Sequence, residues 1–575
     1  MKGLYLNVPD ARTLATRADR LLGAPSSVAA VEHHADVIVV NVHPLDWPDG
    51  PIFHDLDHDL TLAGAGWFIF RGRAGNLADF AEAFLRARTD EERRVMLREI
   101  AAGAFVILIL QGDERWVATD PFGLHPHYHM TDDPLATIAP SPYFLTRGGT
   151  DATRRDDVLS RALGLQGHLF GNYTAYHGIE RLPPGTLLGP RAPSTGSVAE
   201  VAAALAEAGM LRPEGARMSP AGAGGRGRKQ AATTPTALRY YDYAPQTGMP
   251  PVDEETGAVL LERLRHVLHG FGERPRILPL SGGLDSRLLL GLGDLDYGYT
   301  FGPPLTGDRP IARRFAHHFS DYQEFSFLDL DYPREMRQAG YLLLHGVCAQ
   351  PFVELLPAYR RLFSRWGESG VFLDGYAGDV LQRGTLLTWG GRSGGFAKLF
   401  PRLGRRRFDP LRLLDRRYPL LEPPARALLH ETFHWEMDPW EIDPFRKALL
   451  FELIHGRGAR HALNGGTILS GQYFTAVQPF FIPVVFRTLW ATDPRDLTSY
   501  RALSSLWRGM PRELANVRTY SGFKPVWQHD IARATMLVTK ALGKMGVWKR
   551  SVGYESELKS IRWEGDEQVE PAPQV

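Results

Sequence analysis

The chain runs to 575 residues, 44% hydrophobic and 23% charged, enough for two full cores. Its formal net charge of +1 argues against nucleic acid or an anionic surface as a bulk partner, and a single cysteine excludes an internal disulfide framework and points to a reducing compartment. Met1 to Arg20 carries Asp10, Arg12, Arg17, Asp19 and Arg20 without the apolar stretch of a signal peptide, and the apolar runs at 37–40 and 105–110 are too short to cross a bilayer, so the expected location is the cytoplasm with no membrane partner.

In chain order, two histidine clusters come first. HDLDHD (His54 to Asp59) and HPHYH (His125 to His129) hold metal-ligand residue types at close spacing, and on a strand every second residue shares a face. Surface and strand packing is the preferred reading of both. After DPFGLHPHYH (Asp120 to His129) and YTAYHGIERLPPGTLL (Tyr173 to Leu188) the composition changes. Arg191 to Pro235 holds an Ala-rich helical piece and then SPAGAGGRGRKQAATTP, a run that buries too little apolar surface to offset its ordering entropy. It divides the chain into a first domain over 1–190, a linker over 191–236 and a second domain over 237–563, with a disordered polar tail over 564–575.

ILPLSGGLDSRL (Ile277 to Leu288) is the most informative stretch, because it puts a Ser-Gly-Gly-Leu-Asp-Ser loop directly after an apolar strand and before a helix starting near Arg287. Gly282 and Gly283 allow close backbone approach to a pyrophosphate, the Ser281 and Ser286 hydroxyls add donors, and the helix presents its positive end. Asp285 is not a phosphate donor, but it suits Mg²⁺, which takes carboxylate and phosphate oxygens together. YGYTFG (Tyr297 to Gly302) reads as a second strand before a helical pattern, and two successive strand–helix units indicate a parallel α/β sheet. Ligands of such sheets lie at the carboxyl ends of the strands, which puts Leu280, Thr300, Phe301 and Gly302 on a nucleotide.

Farther on, HGVCAQPF contains Cys348, read as a small buried apolar residue despite His345 three residues away. VFLDGYAGDVL (Val371 to Leu381) is a third apolar strand ending in a glycine turn with acids. Asp374 and Gly375 stand at its nucleotide-facing end, and Asp379 is the second metal ligand beside Asp285, with a helix N-cap as its alternative use. GGRSGG (Gly390 to Gly395) reads as a flexible loop, and the basic run Arg402 to Arg417 as a solvated helix face.

These three strand-loop segments resemble the asparagine synthetase superfamily. DPFGLHPHYH and YTAYHGIERLPPGTLL are similar to segments of that family's amino-terminal domain, Thr174, Gly178, Ile179, Leu182, Pro183, Pro184 and Gly185 falling where its pattern has them. The resemblance spans about residues 60 to 530. It implies an α/β protein with an Ntn-hydrolase-like (class II glutamine amidotransferase-like) sandwich domain and an adenine nucleotide α hydrolase-like, parallel-sheet ATP pyrophosphatase domain, using ATP and Mg²⁺. Glutamine-hydrolysing members carry a cysteine nucleophile at residue 2. Here residue 2 is Lys, so the first domain reads as degenerate and the amine comes from a source other than glutamine.

Members without that cysteine include β-lactam synthetases and lasso peptide cyclases. Tyr376 in GYAGD resembles the β-lactam synthetase pattern, which implies a Tyr working with a Glu as the base on an attacking amine. Such a base needs a phenol pKa well below ten. Glu422, Glu431 and Glu436 are the partners considered, and Arg501 or Lys524 the cation for pyrophosphate. Departures from the family at Arg287, Asp374, Val380, Gln478 and Ile482 leave the ATP site better preserved than the acceptor site.

The expected activity is amide-bond formation through an acyl-adenylate, with AMP and pyrophosphate released and with an unidentified carboxylate and amine, peptide or small molecule, as substrates. Cyclisation or tailoring in natural-product biosynthesis is the expected setting. The alternatives are an asparagine synthetase using free ammonia, a non-catalytic ATP-binding scaffold, and a tRNA-modifying pyrophosphatase, which needs thiols or a basic RNA-binding domain absent from this chain.

Overall fold

The computed structural model describes residues 1–34, 36–44, 46–146, 155–189, 236–245, 252–304, 308–348, 353–367, 370–384, 408–462, 466–519, 521–545, 557–558 and 560–565. The expected low-complexity segment after Gly189, the GGRSGG loop, the first residues of the basic run and all but the start of the polar tail lie outside them.

The first part of the chain contributes β1 (Gly3–Leu6), β2 (Ser27–His33), β3 (Asp36–Val42), β4 (Ile52–Asp55), β5 (Leu60–Phe70), β6 (Arg73–Ala74), β7 (Ile100–Gln111), β8 (Glu114–Thr119), β9 (Tyr128–Met130), β10 (Ile138–Ala139), β11 (Ile179–Arg181), β12 (Thr186–Gly189) and β13 (Thr236–Arg239). They form two antiparallel sheets, ordered β11-β9-β10-β1-β3-β2 and β13-β12-β8-β7-β5-β4, with β6 paired to β5. The sheets meet through β1, β3 and β5; helix Ala11–Leu22 packs on the first and helices Leu77–Arg86 and Asp90–Arg98 on the second. In β5 and β7 nearly every residue is buried, so their runs LTLAGAGWFIF and AFVILIL lack the alternation of a half-solvated strand. The DPFGLH turn is organised by Asp120, whose carboxylate accepts from the N–H groups of Phe122, Leu124 and His125 at 2.9–3.1 Å. Burial pushes that carboxyl up to about 6 against these donors.

The second part builds one parallel sheet from β14 (Arg276–Pro279), β15 (Leu295–Phe301), β16 (Phe319–Phe325), β17 (Val371–Leu373) and β18 (Thr475–Val477), in the order β16-β15-β14-β17-β18. β17 and β18 are wholly buried, while the edge strand β16, FSDYQEF, is buried only at its two terminal phenylalanines and carries charge between them, which suits an edge. β18, at the other edge, lies under the sandwich. There the Trp67 indole donates to Ala476 O at 2.8 Å, and the Thr475 hydroxyl donates to the buried Asp46 carboxylate.

Further bonds join the two parts. Lys2 Nζ donates to Gln472 O at 2.7 Å, Tyr473 OH to Leu22 O at 2.8 Å and Arg181 to Ile454 O at 2.8 Å. At about 1 kcal/mol each for neutral pairs, and more for the charged donors, such bonds make the docking strong. β13, which the sequence division assigns to the second domain from residue 237, pairs with β12 instead, and Tyr240 donates to Thr119 O at 2.6 Å. The apolar-aromatic LRYYDYAP therefore completes the sandwich sheet. Among the described residues no helix is long and apolar enough to cross a membrane.

Candidate functional site

Strand order places the site. From the central β14 the chain moves outward through β15 and β16, then crosses to β17 and β18 on the other side. The switch falls between β14 and β17, and a crevice opens beyond the carboxyl ends of strands at such a point. The two loops that leave these ends are Ser-Gly-Gly-Leu-Asp-Ser and Asp-Gly-Tyr-Ala-Gly-Asp. They touch. A Cβ on Gly378 would lie 2.7 Å from Asp285 Cβ and from the Phe480 ring, and one on Gly375 would lie 3.4 Å from Ser286 N. Ala377 between them takes a left-handed φ of 67° to start helix Gly378–Arg383, so Asp379 stands in the first helical turn and is not its N-cap.

The first loop is closed on itself. Ser281 N–H donates to Ser286 Oγ at 3.1 Å, Gly283 N–H to Ser281 Oγ at 3.2 Å, and Gly282 N–H to the Asp308 carboxylate at 2.8 Å. The backbone donors expected to face pyrophosphate are thus satisfied internally, as buried polar groups must be. The helix begins at Asp285, not near Arg287, and spans only Asp285–Leu290. Arg287, where the resembling family has Ser, is fully buried. Its guanidinium donates to Val517 O at 2.7 Å and Gly282 O at 3.1 Å and lies over the Phe315 ring, tying the loop to the segment after helix Arg512–Ala515.

Leu280 is buried, with its N–H on Tyr299 O at 2.8 Å. The Thr300 hydroxyl donates to Leu280 O at 2.6 Å and accepts from Tyr322. Phe301 packs on Phe327, and Gly302 takes φ 113°, its carbonyl accepting from Arg309 at 2.8 Å. Leu280 follows the end of β14, and Thr300, Phe301 and Gly302 lie at the end of β15, but the Thr300 hydroxyl is already engaged.

Asp285 accepts from Gln382 Nε2 at 3.0 Å, and Gln382 accepts from the Trp507 indole at 3.2 Å. Arg383 lies 3.9 Å from the other Asp285 oxygen. Burial pushes the Asp285 carboxyl up to about 7, against the pull of Arg383 and with the push of Asp379. Asp374, whose carboxylate accepts from Tyr376 N–H at 3.1 Å, is raised by burial to about 6. The two carboxylates expected to share a metal are therefore close enough to repel. Arg383, which sequence reasoning passed over, is the cation beside them. Arg501 is an exposed residue 3.5 Å from Asp496.

The Tyr376 hydroxyl is buried and makes no hydrogen bond among the described residues. Its phenol is pushed well above ten, first by burial and then by Asp379, Glu452 and Asp374, with Arg417 opposing. The phenol pKa thus moves in the direction opposite to that asked of a solitary base. The sequence leaves the partner carboxylate open among Glu422, Glu431 and Glu436. Glu422 pairs with Arg161 on the surface at 3.3 Å, and Glu436 with Arg239 at 2.8 Å. Among the acids Asp379 acts on Tyr376 most; the glutamate that acts on it is Glu452, fully buried in helix Pro444–Ile454 and 2.8 Å from Arg417. A Cβ on Gly458 would collide with both the Tyr376 hydroxyl and the Glu452 carbonyl oxygen. Arg417, read as part of a solvated face, is only 4% exposed. No spacing rule ties Tyr376 to Glu452 across 76 residues; the one sequence signal is an acid inside the apolar run ALLFELI.

Lys2 is tied down by its side chain. Its ammonium donates to Pro25 O and Gln472 O and lies 3.5 Å from Asp19, burial lowering its pKa. Cys348 is buried with its thiol on Gly167 O, and its backbone bridges His168 of the sandwich part. His345 turns away to Tyr176. In HPHYH, His127 Nε2 accepts from Leu4 N–H at 2.9 Å and all three imidazoles are held below their ordinary pKa by burial, which is the packing role expected.

No family model and no curated protein matches the chain. Among solved structures it is similar to glutamine phosphoribosylpyrophosphate amidotransferase from B. subtilis complexed with ADP and GMP, at 12% identity over 65% of this chain and 75% of that one, with a TM-score of 0.23. A structure described as the allosteric regulatory enzyme of purine biosynthesis is 11% identical over 70% of this chain and 77% of that one, also at 0.23. Likenesses this distant carry no argument about activity.

Proposed function

We propose that the protein is an ATP-dependent, AMP-forming amide ligase that activates a carboxylate as its adenylate and couples it to an amine whose source is not glutamine. The observation that carries this reading is the meeting, at the switch point of a parallel sheet, of the Ser-Gly-Gly-Leu-Asp-Ser loop with the loop bearing Tyr376 and Asp379. The asparagine synthetase-like pyrophosphatase architecture and the synthetase-like sandwich belong to the same proposal.

Asp285 and Asp379 fit Mg²⁺, because hard carboxylate oxygens are its ligands and a divalent cation would offset both the burial that raises Asp285 and the smaller push of Asp379. Bound there, it supplies charge neutralisation at the pyrophosphate. Arg383 adds a fixed positive charge beside it. Asp308 must leave Gly282 N–H for that donor to meet a phosphate, and burial, which raises the Asp308 pKa, makes its anionic form the easier to displace.

For the second step, attack on an acyl-adenylate requires loss of an amine proton. With its pKa raised, Tyr376 acts as a relay and not as a free phenolate. The hydroxyl, which makes no hydrogen bond among the described residues, would turn to the Glu452 carboxylate beside Arg417, and its oxygen would receive the amine proton as its own proton passes to that carboxylate. Tyr376→Phe keeps the ring and removes the relay. Adenylation, read as pyrophosphate exchange, is expected to persist while amide formation falls by roughly 10² to 10⁴. Equal losses in both assays, or none in either, refute the assignment.

A further inference from the structure

Outside the proposed active site, the β2–β3, β4–β5 and β7–β8 turns bring together His33, His34, Asp59 and the Gly112 carbonyl. One ring nitrogen from each histidine and one Asp59 oxygen all lie within 4.8 Å of one another. His34 Nε2 and Asp59 Oδ2 are 3.0 Å apart, close to the spacing of two ligands on one tetrahedral ion. The two rings stand almost perpendicular, at 82° with centroids 4.6 Å apart.

The supports around these side chains also favour a ligand. His33 is buried, and its Nδ1 lies 2.9 Å from Thr61 Oγ1, which is 3.0 Å from His54 Nδ1. A threonine hydroxyl has one proton. If it donates to His54, it accepts from His33 Nδ1–H, and His33 Nε2 is left with a lone pair 3.3 Å from Gly112 O. In that tautomer the Nε2 lone pair is open to a cation, whereas in the other Nε2–H donates to Gly112 O, and the Thr61 contact is the outer-shell bond that orients a metal-binding imidazole. The other two residues hold left-handed backbone in non-glycine turns, φ 52° at His34 and 46° at Asp59, and Gly112 N–H donates to Asp59 O at 3.0 Å to lock the turns together. His34 and Asp59 are about half exposed, leaving water access to a fourth position.

We infer that His33, His34 and Asp59 form a transition-metal site suited to Zn²⁺, with an open fourth position. Two imidazoles and one carboxylate suit zinc and exclude the all-oxygen preference of Mg²⁺ or Ca²⁺. HDLDHD, read as surface packing from sequence, contributes Asp59 to this site, while Asp55 and His58 of the same run pair with each other at 2.9 Å.

The test is a Co²⁺ titration of the metal-stripped full chain, reading the visible absorption of the bound ion, followed by displacement with Zn²⁺. One equivalent is expected to bind. His34→Asn and Asp59→Asn, which tolerate the left-handed backbone, are each expected to weaken binding at least tenfold with the circular dichroism spectrum unchanged. Another grouping, His317, His318 and Glu513, serves as the control, and His317→Asn with His318→Asn is expected to leave the signal in place. No binding by the parent chain, undiminished binding by both variants, or loss only in the control overturns the inference.

Discussion

The Arg417–Glu452 pair offers the most quantitative test of the site, because it needs no substrate. Glu452 is 0% and Arg417 4% exposed, and their charges are 2.8 Å apart. Glu452→Gln keeps the shape and removes one charge, leaving a guanidinium buried without its counterion. That costs about 3 to 5 kcal/mol. The double variant Arg417→Met with Glu452→Leu removes both charges into an environment of Tyr418, Leu414 and Phe451, all buried, and is expected to recover most of the loss. Urea unfolding of the parent, Arg417→Met, Glu452→Leu and the double variant gives the coupling energy, expected to be at least about 2 kcal/mol. A chain of this size need not unfold in one step, so the transition that shifts must be the same in all four proteins. A Glu452→Gln variant within about 1 kcal/mol of the parent, or four stabilities that simply add, refutes the buried pair and with it the placement of a charged Glu452 behind Tyr376.

Arg287→Ser, which installs the residue of the resembling family, removes the charge-assisted bonds to Val517 O and Gly282 O and a longer one to Arg518 O, and is expected to cost about 3 to 6 kcal/mol; a neutral result in thermal and urea unfolding refutes the strut. His168 is buried beside Tyr418, and burial lowers its pKa to about 4. The unfolded chain therefore binds the proton first, and stability falls as pH drops from about 6.5 to about 4, by up to roughly 3 kcal/mol from this one group. His168→Phe is expected to flatten that part of the stability–pH curve, and an unchanged slope contradicts it. Asp285→Asn and Asp379→Asn are each expected to lower substrate-dependent release of AMP and pyrophosphate at least about a hundredfold, and release of ADP and phosphate by the parent would be incompatible with the proposed reaction. Incubation with glutamine and ATP is expected to form no glutamate above the blank, since Lys2 is bonded through its ammonium and Cys348 is buried.

Local features of the chain are readable in its sequence where one short segment decides them. Three of the five strands of the parallel sheet, the loop of small residues after β14 and the left-handed or glycine turns that follow are set by apolar runs, β-branched or aromatic residues and backbone freedom within a dozen positions. The same holds for the DPFGLH turn, where Asp120 reaches donors only a few residues ahead. Leu280, Thr300, Phe301, Gly302, Asp374 and Gly375 stand at strand ends, where the alternation of strand and loop puts them.

What only the tertiary structure decided are the pairings between distant segments. The strand order that makes β14 and β17 neighbours, the transfer of β13 to the sandwich sheet, the approach of Glu452 and Arg417 to Tyr376, and the meeting of His33 and His34 with Asp59 all depend on how separate elements stack. The upward shift of Tyr376 is of the same kind, since burial among three carboxylates is a property of the assembled core and not of the phenol. Residue identity sets what a side chain can donate, accept or ligate. Which partner it meets, and in how dry a place, is settled by packing between elements that sequence spacing does not record.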